Sequence, residues 1–320
     1  MKRLAINGFG RIGRAFFRLA FGHPGIEIVA INDPAFTSEM ARYLLINDSV
    51  YGKYAREVSV ADGGIRVDNT FVPLLTERSP DALPWREMGV DLVVEASGIF
   101  RAYSGEKGAS RHLQAGARRV LQSVPSKGDG AEKIPQIVYG VNEKQITAEH
   151  DVVSAASCTT NSLVPVMHIL EKEFSVRHGF LTTIHGYTAD QSLVDGMHSS
   201  MTRSRAAAIN IIPTKTGAAS ATAKVIPSLA GRMHGIAFRV PVPTGSVSDI
   251  TLEMGDPVSV DDVNDTLTRY ARNELAGILR VSSEPLVSTD IVGDAHASIC
   301  LLYTSPSPRD RTRSRMPSSA

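Results

Sequence analysis

Cys158 stands in the run Ala156-Ser157-Cys158-Thr159-Thr160-Asn161, directly after an apolar strand-like stretch at 151–153 and at the head of a helix-like stretch running to about residue 174. A thiol at a helix N-terminus feels the positive end of the helix dipole and nearby free N–H groups, and both favour the thiolate. Only one other cysteine, Cys300, occurs in the chain. Cys158 therefore reads as a nucleophile rather than as half of a structural disulfide. His185 lies at the end of a strand pattern in Thr182-Thr183-Ile184-His185-Gly186-Tyr187-Thr188. A histidine there could pair with the thiolate and move protons. The other histidines have no comparable setting, and most read as surface or packing residues.

A second chemistry sits at the N-terminus. Gly8-Phe9-Gly10-Arg11-Ile12-Gly13 follows the first strand pattern and opens the first helix pattern. Glycines there allow a tight turn and close approach of backbone to a pyrophosphate seated on the helix N-terminus. A second strand pattern ends in Asn32-Asp33, where such a fingerprint expects an acid for the adenosine ribose. That carboxylate would accept from the ribose hydroxyls and repel a 2′-phosphate, which favours NAD over NADP. Read alone, Asp33 could also be a turn residue before Pro34. Thr188, Arg203, Thr216-Gly217 and Arg239 put hydroxyl, glycine and guanidinium groups near expected strand ends and helix starts, a set suited to an anion such as phosphate. Arg203 and Arg205 could instead belong to a solvated or subunit-contact loop.

Two kinds of texture position these groups. The first half alternates strand patterns (4–7, 26–32, 90–95, 119–122, 136–139) with helix patterns (notably 11–21 and 104–115). This predicts parallel βαβ units with both sheet faces covered. Gly63-Gly64 between alternating segments predicts an inserted hairpin. After Cys158, long strand patterns (179–187, 235–242, 246–254) and helix patterns (158–174, 217–226, 260–275) predict a mixed or antiparallel sheet with helices on one face. The fold class is α/β: a Rossmann-type doubly wound parallel sheet over 1–157, followed by an α+β catalytic domain over 158–299. The irregular stretch 191–208 is long enough to be a functional or interface loop. From about Cys300 the Ser/Pro/Arg-rich segment 300–320 reads as an unrelated, disordered tail; a basic arm is the other reading. The formal charge of +1 gives no reason to expect nucleic acid or anionic membrane as partner, and no apolar run is long enough to span a bilayer. Two cysteines and no signal-peptide pattern fit the cytoplasm.

Together these residues resemble phosphorylating glyceraldehyde-3-phosphate dehydrogenase. The match runs from Met1 to about Ile299, through Ile6-Asn7-Gly8-Phe9-Gly10-Arg11-Ile12-Gly13-Arg14, Ala156-Ser157-Cys158-Thr159-Thr160-Asn161, Ile212-Pro213, Thr216-Gly217-Ala218-Ala219 and Phe238-Arg239-Val240-Pro241. The resemblance implies Cys158 as nucleophile and His185 as general base. It implies a substrate-phosphate site at Thr188, Asp190, Arg203 and Arg239, and an inorganic-phosphate site at Ser157, Thr159, Thr216 and Gly217, with Arg239 shared. It places the adenosine end of NAD on Asp33, Arg78 and Phe100, with Ser97 and Ser123 along the cleft, and includes no metal. It further implies glyceraldehyde 3-phosphate and inorganic phosphate as substrates, and a homotetramer in which 191–208 reaches a neighbour's cofactor site. Ser162 stands where many members carry a second cysteine. Met197 stands where NAD-specific members carry proline, an argument towards NADP set against Asp33-Pro34. The family's C-terminal strand, with its nicotinamide-orienting asparagine, and returning helix have no counterpart here, so the alternatives are an inactive NAD-binding fragment and, within the family, erythrose-4-phosphate dehydrogenase.

Overall fold

The computed structural model describes residues 1–302. The expected disordered tail falls mostly on residues 303–320, which lie outside the described residues. Two compact units divide the chain, residues 1–137 with 143–157 and residues 138–142 with 158 onward.

The first unit is built on one sheet. Its strands are β1 (Lys2–Asn7), β2 (Ile26–Asn32), β5 (Val58–Ala61), β6 (Gly64–Val67), β7 (Thr70–Leu75), β8 (Leu92–Glu95), β9 (Arg119–Gln122) and β10 (Val152–Ser154); β3 (Asn47–Asp48) and β4 (Gly52–Lys53) form a separate short ribbon. The sheet order is β10-β9-β8-β1-β2-β7-β6-β5. Pairings from β10 to β7 are parallel, and β5–β6–β7 are antiparallel, with Gly63 at φ 71° turning the expected hairpin. Strands buried on both faces should read as near-continuous apolar runs, as Leu-Ala-Ile in β1 does. Ala5 feeds one core with Trp85, Val93 and Val120, while the next residue, Ile6, feeds the opposite core with Phe17, Ile31 and Leu45. Helix α1 (Arg11–Ala20) anchors in the second core through Phe17 and α2 (Ser38–Ile46) through Leu45, both fully buried; each such side chain contributes about 1.5–3 kcal/mol.

Two expected elements are corrected here. The helix at 104–115 shrinks to α3 (Arg111–Gln114). Gly105 has φ 80° and Gly108 presses onto the Ser104 backbone, so the chain turns where a helix would run on. The strand at 136–139 is only a bridge from Gln136 to Ser154. Beyond it, Asn142 Oδ1 accepts the Val138 amide at 2.8 Å, closing a turn at 138–142 that packs Gly140 on Leu275 and Ile278 of the second unit.

The second unit holds α4 (Cys158–Phe174) and the strands β11 (Val176–Gly186), β12 (Ile212–Lys215), β13 (Met233–Val240) and β14 (Ser246–Met254), ordered β12-β13-β11-β14. β11 runs parallel to β13 and antiparallel to β14, a mixed sheet. Helices α5 (Ala218–Val225) and α6 (Val260–Arg272) complete it, with a strand pair β15 (Leu279–Ser282) and β16 (Ser298–Leu301). Ser259 caps α6 with Asp262 in a reciprocal capping box. Ile169, Leu267, Tyr270 and Leu279 form the core between them. Cys300 and Leu301 belong to β16, so regular structure continues past the point where the tail was expected to begin. No described helix is long and apolar enough to cross a membrane.

Candidate functional site

Cys158 is the first residue of α4. The turn that delivers it contains Ala156 at φ 59°, a left-handed conformation that costs a non-glycine residue about 1–2 kcal/mol. His185 is the penultimate residue of β11. Its Nε2 lies 3.3 Å from Cys158 Sγ. Its Nδ1 lies 2.7 Å from the Gly186 carbonyl, a contact that anchors the ring with Nε2 turned towards sulfur. Arg239 Nη1 sits 2.8 Å from the same Nδ1 and donates to the same carbonyl at 3.2 Å. Burial pushes the Cys158 thiol up, but the hydrogen bond and charge of His185, then the hydroxyl and amide of Thr159, outweigh it and hold the thiol below its ordinary value.

An anion site adjoins this pair in the same unit. Asp190 binds the Thr188 hydroxyl and the Arg203 guanidinium. Burial raises Asp190, and Thr188, Arg203 and Arg239 together hold it below the usual carboxylate range. Burial and the nearby Arg203 charge lower Arg239, offset by Asp190 and Cys158. Two guanidiniums against one carboxylate leave a net positive pocket, and the buried Arg239 Nε has no hydrogen-bond partner among the described residues. An oxyanion would meet both needs. Gln191, missed in the sequence, accepts the Thr188 amide at 3.2 Å and so fixes the hydroxyl's backbone. Thr216 Oγ1 accepts the Ala218 amide at 3.1 Å at the head of α5, and a Cβ on Gly217 would meet open space. Thr159 is buried beside Cys158, and Ser157 directly precedes it. Arg205 pairs instead with Asp195 at 2.8 Å.

The other residues gather in the first unit. Gly8 has φ 95°, and a Cβ there would lie 2.4 Å from the Ser97 amide nitrogen. A Cβ on Gly13 would lie 2.0 Å from the Gly8 carbonyl oxygen. These two glycines let helix, turn and strand approach this closely. Space over Gly10 is open, and α1 has no side-chain cap on its first N–H groups. Asp33 accepts the Phe9 amide through Oδ2 at 2.8 Å and the Ala35 amide through Oδ1 at 3.0 Å. The Phe9 ring is buried against Phe17 and Phe36, so only its backbone is available to a ligand. Phe100 is likewise buried, edge-on to His112. Arg78 and Ile12 are exposed, and Arg11 pairs with Asp48 at 3.3 Å. Ser123 Oγ is buried without a partner among the described residues. Free helix N–H groups, an open glycine surface, a fixed carboxylate and an orphan hydroxyl fit a dinucleotide.

Known proteins are similar to this chain over most of its length. The family profile described as glyceraldehyde 3-phosphate dehydrogenase, NAD binding domain, matches residues 2–103, and that of the C-terminal domain matches residues 157–306. The chain is 44% identical to the glyceraldehyde-3-phosphate dehydrogenase of Borreliella burgdorferi, over 93% of this chain and 88% of the relative. It is 47% identical to that of Haloarcula vallismortis, over 92% and 87%. It is 41% identical to glyceraldehyde-3-phosphate dehydrogenase 3 of Saccharomyces cerevisiae, over 93% and 88%.

Proposed function

The chain belongs to the glyceraldehyde-3-phosphate dehydrogenase family, and we propose that Cys158 and His185 carry out its reaction, the oxidation of glyceraldehyde 3-phosphate with uptake of inorganic phosphate to give 1,3-bisphosphoglycerate. The observation that carries this reading is the thiol 3.3 Å from His185 Nε2 at the head of α4, beside the two guanidiniums around Asp190. The Cys158 thiolate adds to the aldehyde carbon, and His185 protonates the oxygen to give a thiohemiacetal. His185 Nε2 then removes that hydroxyl proton as the carbon loses hydride, leaving a thioester on sulfur. Bound dinucleotide supplies the hydride acceptor. A phosphate oxygen attacks the thioester, the C–S bond breaks, and Cys158 leaves as the thiolate that His185 stabilises. Arg203, Thr188 and Asp190 would hold the substrate phosphate. Thr216, Gly217, Ser157 and Thr159 would hold the attacking phosphate, with Arg239 between the two sites.

NAD is the preferred dinucleotide in this reading, because the Asp33 carboxylate fixed at the end of β2 would repel a 2′-phosphate. A cytoplasmic homotetramer is proposed as well. Leu193, Val194, Met197 and Met201 in the loop 191–208 are 75% to 102% exposed, and a row of apolar side chains in water suits a subunit contact. The test is NADH formation from glyceraldehyde 3-phosphate, NAD and phosphate, beside a Cys158→Ser control. Turnover that is abolished in the control and lost when phosphate is omitted supports the reading. Turnover indifferent to phosphate would favour the hydrolytic erythrose-4-phosphate reaction. NAD binding without turnover would mark an inactive fragment.

A further inference from the structure

The last residues of three adjacent strands are polar and almost fully buried: Asn32 of β2, Asn7 of β1 and Glu95 of β8, at 1%, 3% and 0% exposure. Strand register sets them side by side, Asn7 opposite both Asn32 and Glu95. β2 and β8 flank β1, so the winding reverses here and a crevice opens at these carboxyl ends. Their side chains are joined. Asn32 Nδ2 donates to Asn7 Oδ1 at 2.7 Å, and Asn7 Nδ2 donates to Glu95 Oε2 at 2.6 Å. The same Oε2 accepts from His112 Nε2 at 3.1 Å, while Oε1 accepts from the Ser97 amide at 2.8 Å and from the Ser97 hydroxyl.

The direction of the bonds from Asn7 and His112 is locked from outside. At one end the Glu77 amide donates to Asn32 Oδ1 at 2.9 Å, so Asn32 can turn only Nδ2 towards Asn7, and Asn7 only Nδ2 towards Glu95. At the other end the Trp85 indole N–H, which can only donate, meets His112 Nδ1 at 3.0 Å, so the ring proton sits on Nε2 and points at Glu95. Residue 95 must therefore accept from Asn7, His112 and the Ser97 amide, and the Ser97 hydroxyl adds a fourth bond. A carboxylate does this; an amide of the same shape does not. The Ser97 amide that Glu95 holds is also the group against which Gly8 rests.

We infer that Glu95 is a positioning residue for the dinucleotide: it ties the Gly8 turn and the Ser97 turn, the two rims of the crevice, at one spacing. This rests on the reading of that crevice as the dinucleotide site. Glu95→Gln must turn its NH2 either against the Ser97 amide or against Asn7 Nδ2 and His112 Nε2, donors that cannot flip. NAD binding, measured by calorimetry on the full chain, should weaken about ten- to a hundredfold. At saturating NAD, kcat and the KM for glyceraldehyde 3-phosphate should stay within about threefold of the parent, because the thiol and its anion site belong to other elements. His112→Gln keeps an acceptor for Trp85 and a donor for Glu95, and should retain NAD affinity; His112→Leu should lose it. Trp85 is the single tryptophan, and its emission should shift in Glu95→Gln and His112→Leu but not in His112→Gln. Unchanged NAD affinity in Glu95→Gln, with Asp33→Ala weakened, overturns the proposal. The same follows if both His112 variants lose stability and every kinetic constant together, since the network is then only structural. If Asp33→Ala and Glu95→Gln both bind NAD normally, the crevice reading itself fails.

Discussion

Replacing His185 with asparagine removes the group that most lowers the Cys158 thiol, while the Thr159 hydroxyl and amide and the opposing effect of burial stay in place. A hydrogen bond to a charged group contributes about 1.5–3 kcal/mol. Protein atoms crowd the Cys158 sulfur, which is why burial acts on it, but the residue still meets solvent, so screening puts the expected loss at the low end. The thiol's midpoint should therefore rise, and an energy near 1.4 kcal/mol is about a tenfold change in an equilibrium. The sign follows from the state that His185 favours: it stabilises the thiolate, so its removal leaves less thiolate at any pH below the new midpoint. Iodoacetamide reports thiolate directly. Near neutral pH the variant should be alkylated about tenfold more slowly than the parent, and the two curves should converge at high pH where both thiols are ionised. Turnover should fall further, by about 10²–10⁴, because the general base is lost as well. Superimposable alkylation curves would refute the reasoning. The thiolate would then be owed to the N-terminus of α4 alone, and the 3.3 Å contact would be incidental to it.

Asp190→Asn removes the carboxylate that orients both Thr188 and Arg203; the KM for glyceraldehyde 3-phosphate should rise about tenfold while that for NAD stays unchanged in steady-state kinetics. Gly13→Ala puts a methyl 2.0 Å from the Gly8 carbonyl oxygen. It should cost about 1–3 kcal/mol in urea unfolding, and a parent-like midpoint with parent-like NAD binding would contradict the packing. Asp294 accepts from Arg280 at 2.8 Å and from the His296 amide at 2.8 Å, and its backbone and side-chain bonds to His296, helped by Arg280, depress it to about 2. That stabilisation is present above pH 4 or so and is lost as pH falls through about 2, amounting to about 1–2 kcal/mol after screening. Asp294→Asn should therefore remove part of the acid dependence of unfolding and leave a smaller loss between pH 4 and 2.

What could be read from the chain, and what could not, divides along the range of the interactions involved. The head of α4 was legible because an apolar strand, a short turn and a helix-period run meet within a few residues of Cys158. The end of β11 was legible because His185 closes an alternating run. The glycine turn after β1 was legible because a left-handed residue at position 8 and a side-chain-free contact at position 13 are local demands with local residues to meet them. The failures at 104–115 and 136–139 are also local. Each held a plausible periodicity that backbone geometry at Gly105 and Gly108, or the Asn142 side chain, overrode. The buried network is different in kind. Asn7 and Glu95 are 88 residues apart, and His112 and Trp85 27 apart. Glu95 ends a strand in which a buried acid contradicts every rule of pattern. No window of sequence contains its four donors, and burying a carboxylate is tolerable only because all four exist at once. His112 looked like a packing residue because its partners are invisible until β8, α3 and the turn after β7 are assembled. A polar residue that breaks the apolar pattern at a strand end is thus a legible signal of a satisfied network, but its partners, and the direction in which each bond must run, belong to the folded chain.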